Sequence, residues 1–157
     1  RFVEKCLEVK ESLPASALTT DVIVGFPGET EADFEASCRR VEQVGFSKVH
    51  VFRFSPRQGT PAAEMPDQID PAVRQRRASH LIELAEQLRS RFFQSLLGCR
   101  LQVLVESADA SGTGELLGTS ARYAPVATSG PADLVGRLAE VEARGATGEG
   151  VAGRLIG

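Results

Sequence analysis

Apolar and polar residues follow two rhythms in the first part of the chain. Residues 1–12 are apolar at a spacing of three to four, which predicts a helix with one buried face that Pro14 ends. Residues 18–26, LTTDVIVGF, form a nearly continuous β-branched and apolar run. Such a run predicts a strand of a parallel sheet that helices cover.

A second helix and a second strand follow. Thr30 and Asp33 have the spacing of a capping box, and an apolar stripe leads from Phe34 to Gly45, which should end the helix. Residues 47–55, SKVHVFRFS, alternate as a strand does. The order helix, strand, helix, strand predicts an α/β fold with a parallel sheet.

The strongest helical pattern covers residues 72–97, and Gly98 should end it. From residue 99 onward, short β-like runs are separated by Gly, Ser, Asp and Pro. This change predicts a small all-β unit of about five strands, a closed or partly open barrel. We therefore expect one domain at 1–97, with 72–97 as its connecting helix, and a second at 98–157.

Composition narrows the class of protein. The chain has 157 residues, of which 42% are apolar. No segment has the roughly 18–20 uncharged apolar residues of a membrane helix, and the N-terminus does not resemble a signal peptide, so we expect no membrane partner and a cytoplasmic location. Cys6, Cys38 and Cys99 are too far apart for a cysteine cluster and are interpreted as packing thiols. The first residue is Arg, which suggests a piece cut from a longer protein.

Two loops carry the unusual chemistry, GFPGET at 25–30 and SPRQGTPAAEMP at 55–66. Both follow predicted strands, at the end of a parallel sheet where sites are built. Gly25 and Gly28 allow either an ordinary turn or the close approach of a flat ligand. Glu29 either favours the helix start or contributes to a site. Arg57 can hold a carboxylate or phosphate, or pair with a local acid such as Glu64 or Asp67.

Strand alternation places Asp21, Ile23 and Gly25 on one face, with His50, Phe52 and Phe54 following the same phase in the second strand. Valines on the other face suit a helix-covered surface, so Asp21 and His50 should point to the inner side of the sheet. Two interpretations remain open for this pair: a structural hydrogen bond, or a polar pocket that holds a ligand.

The paired segments TTDVIVGFPGETEADFE and GFSKVHVFRFSPRQGTPAAEMPDQI resemble the C-terminal part of radical S-adenosylmethionine tRNA methylthiotransferases. Within that family they are most similar to the branch that acts on N6-threonylcarbamoyladenosine beside the anticodon. The segment after residue 98 is similar to a TRAM domain, a small RNA-binding barrel. The resemblance implies the last two β/α units of a partial parallel (β/α)6 barrel, followed by the TRAM-like barrel.

The resemblance also implies the cofactors. S-adenosylmethionine would lie along a groove formed by residues from both strands and both loops: Ile23, Val24, Gly25, Phe26, Phe52, Phe54 and Arg57. The family uses 4Fe-4S clusters, whose ligands are not in this chain. They would belong to the missing N-terminal part of the same polypeptide, so the isolated chain is expected to be inactive.

Charge bears on the implied tRNA partner. Residues 72–97 have five basic and two acidic side chains, whereas residues 98–157 have five basic and seven acidic ones. Contact with phosphates would then depend on the basic helix and on a local patch. The candidates for that patch are the arginines of the predicted barrel: Arg100, Arg122, Arg137, Arg144 and Arg154. The alternative is that these arginines are ordinary solvated side chains.

Two other functions remain open. A methylthiotransferase that acts on a ribosomal protein, or another radical S-adenosylmethionine enzyme, would share GFPGET and a terminal barrel. A noncatalytic RNA-binding module would use residues 98–157 as its functional part.

Overall fold

The computed structural model describes residues 1–109 and 114–156. It divides into two compact units, the first comprising Arg1–Ser12 and Leu18–Leu88 and the second comprising Leu13–Ala17 and Arg89–Gly157. Helix α4, Pro71–Ser95, belongs to both, since the division falls after Leu88.

The first unit has the predicted order of helices and strands. Its remaining elements are α1 (Phe2–Ser12), β1 (Thr19–Val24), α2 (Glu31–Val44), β2 (Lys48–Arg53) and α3 (Pro61–Glu64). Strands β1 and β2 pair in parallel, with Asp21 opposite His50 and Ile23 opposite Phe52. The predicted α/β arrangement with a parallel strand pair is therefore confirmed.

Both ends of α2 are capped. The Thr30 hydroxyl accepts a hydrogen bond from the Asp33 amide, and the Asp33 carboxylate accepts one from the Thr30 amide, so the capping box is present. The hydrogen bonds from the Thr30 side chain and backbone lower the pKa of Asp33. At the other end, Gly45 adopts φ +65° and donates to the Val41 carbonyl, a left-handed cap that glycine adopts without strain.

The core of the first unit lies on the helix-covered face of the strand pair. Its most buried side chains come from β1, α2 and α4 and include Val24, Val44 and Leu81. Cys38 belongs to this core, and burial raises the pKa of its thiol. Its packing role agrees with the sequence interpretation.

The second unit contains a closed five-stranded barrel in the order β3-β4-β5-β7-β6. The strands are β3 (Arg100–Ala108), β4 (Glu115–Ser120), β5 (Pro125–Ser129), β6 (Leu138–Ala146) and β7 (Val151–Leu155). Alternate residues such as Leu101, Val103 and Val141 fill the interior, joined by Phe93 and Leu96 from the end of α4. The predicted small barrel is confirmed over the part of the chain that the structure describes.

Within residues 1–109 and 114–156, none of the helices combines the length and apolar character needed to cross a bilayer.

Candidate functional site

The loops after β1 and β2 lie together at the carboxyl end of the strand pair. The rings of Phe26 and Phe54 meet edge to face, with centroids 5.1 Å apart. The Gly28 amide donates to the Asp67 carbonyl at 3.0 Å, and the Phe54 amide donates to the Val24 carbonyl at 2.8 Å. The predicted proximity of the two loops is therefore observed.

Glu29 holds the first loop in place. Its carboxylate accepts hydrogen bonds from the Gly25 amide and from the Arg77 guanidinium, each at 2.7 Å. Only 13% of the Glu29 side chain and 5% of the Arg77 side chain are exposed. Glu29 precedes the N-cap residue of α2, so its main contacts are with the loop and with α4, rather than with the helix dipole.

Arg77 is the buried centre of this arrangement. It also pairs with the half-exposed Glu31 at 3.0 Å, and its guanidinium lies 5.6 Å from the centroid of the Phe34 ring. Burial acts to lower the pKa of Arg77, but hydrogen bonds from its guanidinium to Glu31 and Glu29 outweigh that effect and raise it. Arg77 is therefore a fixed cation that connects the loop after β1 to α4.

Arg74, one helical turn earlier, packs against Gly25. A Cβ atom built on Gly25, which has φ +74°, would lie 2.2 Å from the Cγ of Arg74. That space is filled by the arginine stem, while the Arg74 guanidinium donates to the Phe54 carbonyl at 2.7 Å. The clearance at Gly25 therefore serves packing against α4, and the Gly25 amide is already bonded to Glu29.

The uncovered face of the strand pair displays the other predicted residues. Asp21 and His50 are register partners and are exposed, as are Ile23 (55%) and Phe52 (51%). The inner side of the sheet, where the sequence predicts Asp21 and His50, is uncovered within this chain, so neither side chain is buried. Val24 is fully buried on the opposite face, so only its backbone can contribute to a groove here.

Arg57 lies exposed in the second loop, where its carbonyl accepts hydrogen bonds from the Thr60 amide and hydroxyl. Among residues 1–109 and 114–156, no salt bridge joins Arg57 to Glu64 or Asp67. Nearby, a depression of about 290 Å³ contains two guanidinium groups and no carboxylate in its lining. It is lined by Arg53, Phe54, Ser55, Pro56, Pro71 and Arg74.

Three of the five predicted RNA-binding arginines cluster on the outside of the barrel. Arg100 lies opposite Glu142 in the β3–β6 pairing, and Arg154 lies opposite the same glutamate in the β6–β7 pairing. The Glu142 carboxylate accepts a hydrogen bond from Arg144 at 2.7 Å and lies 3.7 Å from Arg154. This patch, here called the Glu142 patch, has three arginines around Glu142, and Glu140 lies on the same outer face of β6, opposite Gln102 of β3. Three cations and two carboxylates leave it with a small excess of positive charge.

The other two arginines lie elsewhere. Arg122 donates to the carbonyls of Pro14 and Ala15 at 2.9 and 2.7 Å, which gives it a structural role within the second unit. Arg137 precedes β6, and its carbonyl accepts a hydrogen bond from the Val105 amide. The five arginines therefore do not form one surface.

Across the described ranges, no group of three or more His, Cys, Asp or Glu side chains is placed to hold a metal ion. Cys6, Cys38 and Cys99 are free thiols, and none of them bonds to another.

No protein-family profile matches the chain. Curated relatives match most of it. The tRNA-2-methylthio-N(6)-dimethylallyladenosine synthase of Magnetococcus marinus is 39% identical over 155 residues, which are 99% of this chain and 35% of the relative. The homologues of this chain are tRNA methylthiotransferases.

Two further relatives are named for different modified adenosines. The threonylcarbamoyladenosine tRNA methylthiotransferase MtaB of Bacillus subtilis is 36% identical over 143 residues, 90% of this chain and 32% of the relative. The tRNA-2-methylthio-N(6)-dimethylallyladenosine synthase of Corynebacterium urealyticum is 50% identical over 99 residues, 63% of this chain and 18% of the relative. The chain spans about a third of the length of the Magnetococcus marinus synthase.

Glu29 and Arg77 are the residues whose roles the sequence analysis missed. Arg77 lies four residues before Leu81 and eleven before Leu88, both buried, so it continues the apolar stripe of α4. An arginine on that stripe needs a buried acidic partner, and Glu29, in the loop after β1, is that partner.

Proposed function

We propose that this chain is the C-terminal portion of a radical S-adenosylmethionine tRNA methylthiotransferase. The observation that carries the proposal is the alignment of almost the whole chain with a tRNA-modifying enzyme of that kind. In this proposal, residues 1–97 complete a partial (β/α)6 barrel, and residues 98–157 form a TRAM-like barrel that binds tRNA. The full enzyme would act in the cytoplasm.

The uncovered face of β1 and β2 suits the adenosine part of the cofactor. Ile23 and Phe52 are paired, exposed and apolar, and Phe26 and Phe54 extend that surface at the strand ends. Gly25 and Val24 would contribute only backbone. When bound, S-adenosylmethionine supplies the radical chemistry that removes hydrogen from carbon 2 of the modified adenine in the tRNA. The methylthio group is placed at that carbon.

The charged residues of this region take complementary parts in the proposal. Arg57 is exposed in the second loop, forms no salt bridge within residues 1–109 and 114–156, and is suited to a carboxylate. Asp21 and His50 lie on the same face, two register pairs farther from the loops than Ile23 and Phe52, and would form a polar pocket for the substrate. The 4Fe-4S clusters would be held by the N-terminal part of the polypeptide, as they are in the family.

Two substrates are candidates. The paired motifs favour N6-threonylcarbamoyladenosine, and the Bacillus subtilis relative bears that name. The Magnetococcus marinus and Corynebacterium urealyticum relatives are named for dimethylallyladenosine instead. The threonylcarbamoyl group ends in a carboxylate, whereas the dimethylallyl group is apolar, so the two make opposite demands on a pocket.

A chimeric enzyme tests the proposal. Residues 1–157 replace the matching segment of the Magnetococcus marinus synthase, and nucleosides from tRNA that has been incubated with the purified chimera are analysed by mass spectrometry. We expect a methylthio product on one of the two N6-modified adenosines, and its mass identifies which. The isolated chain should give none. A chimera that folds and contains its iron-sulfur clusters, yet forms neither product, would contradict the proposal.

RNA binding is tested separately on the chain itself. Phosphate contacts make the affinity fall as the salt concentration rises. On a single strand, the logarithm of the association constant falls against the logarithm of the salt concentration with a slope of about −0.7 per neutralised phosphate. Replacing Arg144 or Arg154 with glutamine should reduce that slope, whereas Arg39→Gln, an exposed arginine of α2, should leave it unchanged. Equal slopes in all variants would remove the Glu142 patch from the proposed RNA surface.

A further inference from the structure

Tyr123 is exposed at the tip of the turn between β4 and β5. It has 81% of its surface exposed, more than any other large apolar or aromatic residue in the part of the chain that the structure describes. Its φ of +57° lies in the left-handed region, where side chains other than glycine, asparagine and aspartate are uncommon. Neither packing nor turn preference explains a tyrosine at this position.

The turn itself is well ordered by hydrogen bonds. The Tyr123 amide donates to the Ser120 carbonyl at 2.8 Å, and the Ser120 amide donates to the Ala124 carbonyl at 2.9 Å. The Ser120 hydroxyl also accepts a hydrogen bond from the Ala124 amide. The aromatic ring is therefore presented from a fixed backbone, which reduces the entropy lost when a ligand binds to it.

The turn lies beside the β3 end that carries the Glu142 patch. The Ala121 amide donates to the Gln102 carbonyl at 2.8 Å, and Arg100 is two residues from Gln102 on the same strand. Arg100 in turn lies opposite Glu142, next to Arg144 and Arg154. An exposed aromatic ring on a turn that adjoins an arginine-rich strand end suits single-stranded nucleic acids, since bases stack while phosphates pair with cations.

We propose that Tyr123 stacks on an unpaired base of the bound RNA, while the Glu142 patch contacts the neighbouring phosphates. The inference rests on the proposed function, because it takes tRNA as the partner. It adds a base contact to a surface that the sequence analysis described only by its arginines. Stacking accepts any base, so Tyr123 would increase affinity for unpaired nucleotides with little preference for sequence.

The composition of the chain makes this proposal directly measurable. Tyr123 is its only tyrosine, and it has no tryptophan, so tyrosine emission reports on this side chain alone. The 157-residue chain is titrated with an eight-nucleotide oligoadenylate, and emission is corrected for RNA absorbance with free N-acetyltyrosinamide. Inorganic polyphosphate of similar charge is the control that offers phosphates without bases. We expect quenching by the oligoadenylate and none by polyphosphate.

Two substitutions supply a second readout, the affinity measured by fluorescence anisotropy of labelled oligoadenylate. Tyr123→Phe retains a stacking ring and should keep its affinity within about twofold, whereas Tyr123→Ala should weaken binding about tenfold with an unchanged salt slope. Alanine has the same backbone strain as tyrosine here, and the side chain packs on little, so the unfolding midpoint should not change.

The outcomes separate the two levels of the proposal. RNA binding without quenching, equal quenching by polyphosphate, or wild-type affinity in Tyr123→Ala would overturn the stacking role and leave the arginine surface intact. No detectable binding of the chain to either oligoadenylate or tRNA at low salt would overturn the RNA surface and the stacking role together.

Discussion

The pair formed by Arg77 and Glu29 should be the most sensitive polar contact in the first unit. Replacing Arg77 with alanine leaves the Glu29 carboxylate largely buried, and the Gly25 amide is then its remaining hydrogen-bond partner among the described residues. Breaking a buried ion pair from one side costs about 3–5 kcal/mol. The pair with Glu31 adds little, because 56% of the Glu31 side chain is exposed and exposed pairs contribute about 0–1 kcal/mol.

Glu29→Gln is the complementary change. Glutamine keeps an acceptor for the Gly25 amide, and Arg77 keeps Glu31 as its partner, so we expect a loss of about 1–3 kcal/mol. The double variant should lose less than the sum of the single losses, with a coupling energy of about 1–3 kcal/mol, because residues in direct contact are not additive.

Hydrogen exchange is the suitable assay, because two compact units need not unfold in one step. Amides of α2 and β1 report on the first unit, and the Gly25 amide reports on the loop directly. Arg76→Ala is the matched control, since Arg76 is the exposed neighbour on the same helix. Equal protection in Arg77→Ala and Arg76→Ala, or a coupling energy below about 0.5 kcal/mol, would refute the reasoning.

Three further predictions concern single residues. Gly25→Ala should destabilise the first unit by about 2–4 kcal/mol, because alanine is strained at positive φ and its Cβ would collide with the Arg74 side chain. Chemical denaturation measures this loss. The lowered pKa of Asp33 means that its contribution to folding stability is fully present above pH 3.8 and is lost as the pH falls through its pKa in the folded state. The Asp33→Asn variant should therefore lose less stability in acid than the wild type. Arg122→Ala should lower the thermal midpoint of the second unit but leave the salt slope of RNA binding unchanged, because its guanidinium is occupied by the backbone of residues 14 and 15. A wild-type denaturation midpoint for Gly25→Ala, an unchanged acid transition for Asp33→Asn, or a reduced slope for Arg122→Ala would contradict the respective prediction.

Local patterns were sufficient to predict the elements. The capping box of Thr30 and Asp33, the Gly45 cap and the parallel pairing of β1 with β2 all follow from short-range rules that the structure obeys. The closed barrel was also predictable, because regular β-like runs separated by turn residues have few other ways to cover their edges.

Contacts between distant residues were not predictable in the same way. Arg77 reaches Glu29 across 48 residues, and Arg74 fills the space at Gly25, so the reason for that glycine lies in a helix that local patterns treat separately. Likewise, nothing in the sequence separates Arg122 from the other arginines predicted to contact RNA. Its guanidinium bonds to the Ala15 carbonyl, 107 residues away in sequence, and only folding brings the two together.

The position of β7 has a consequence for synthesis on the ribosome. Although Val151–Leu155 is the last strand in sequence, it lies between β5 and β6 in the barrel. Strands β3 to β6 can emerge and pair in part, but the ring cannot close until residue 155 has left the exit tunnel. The nascent second unit therefore exposes open strand edges until this segment has left the tunnel, and during that interval it is prone to misassembly.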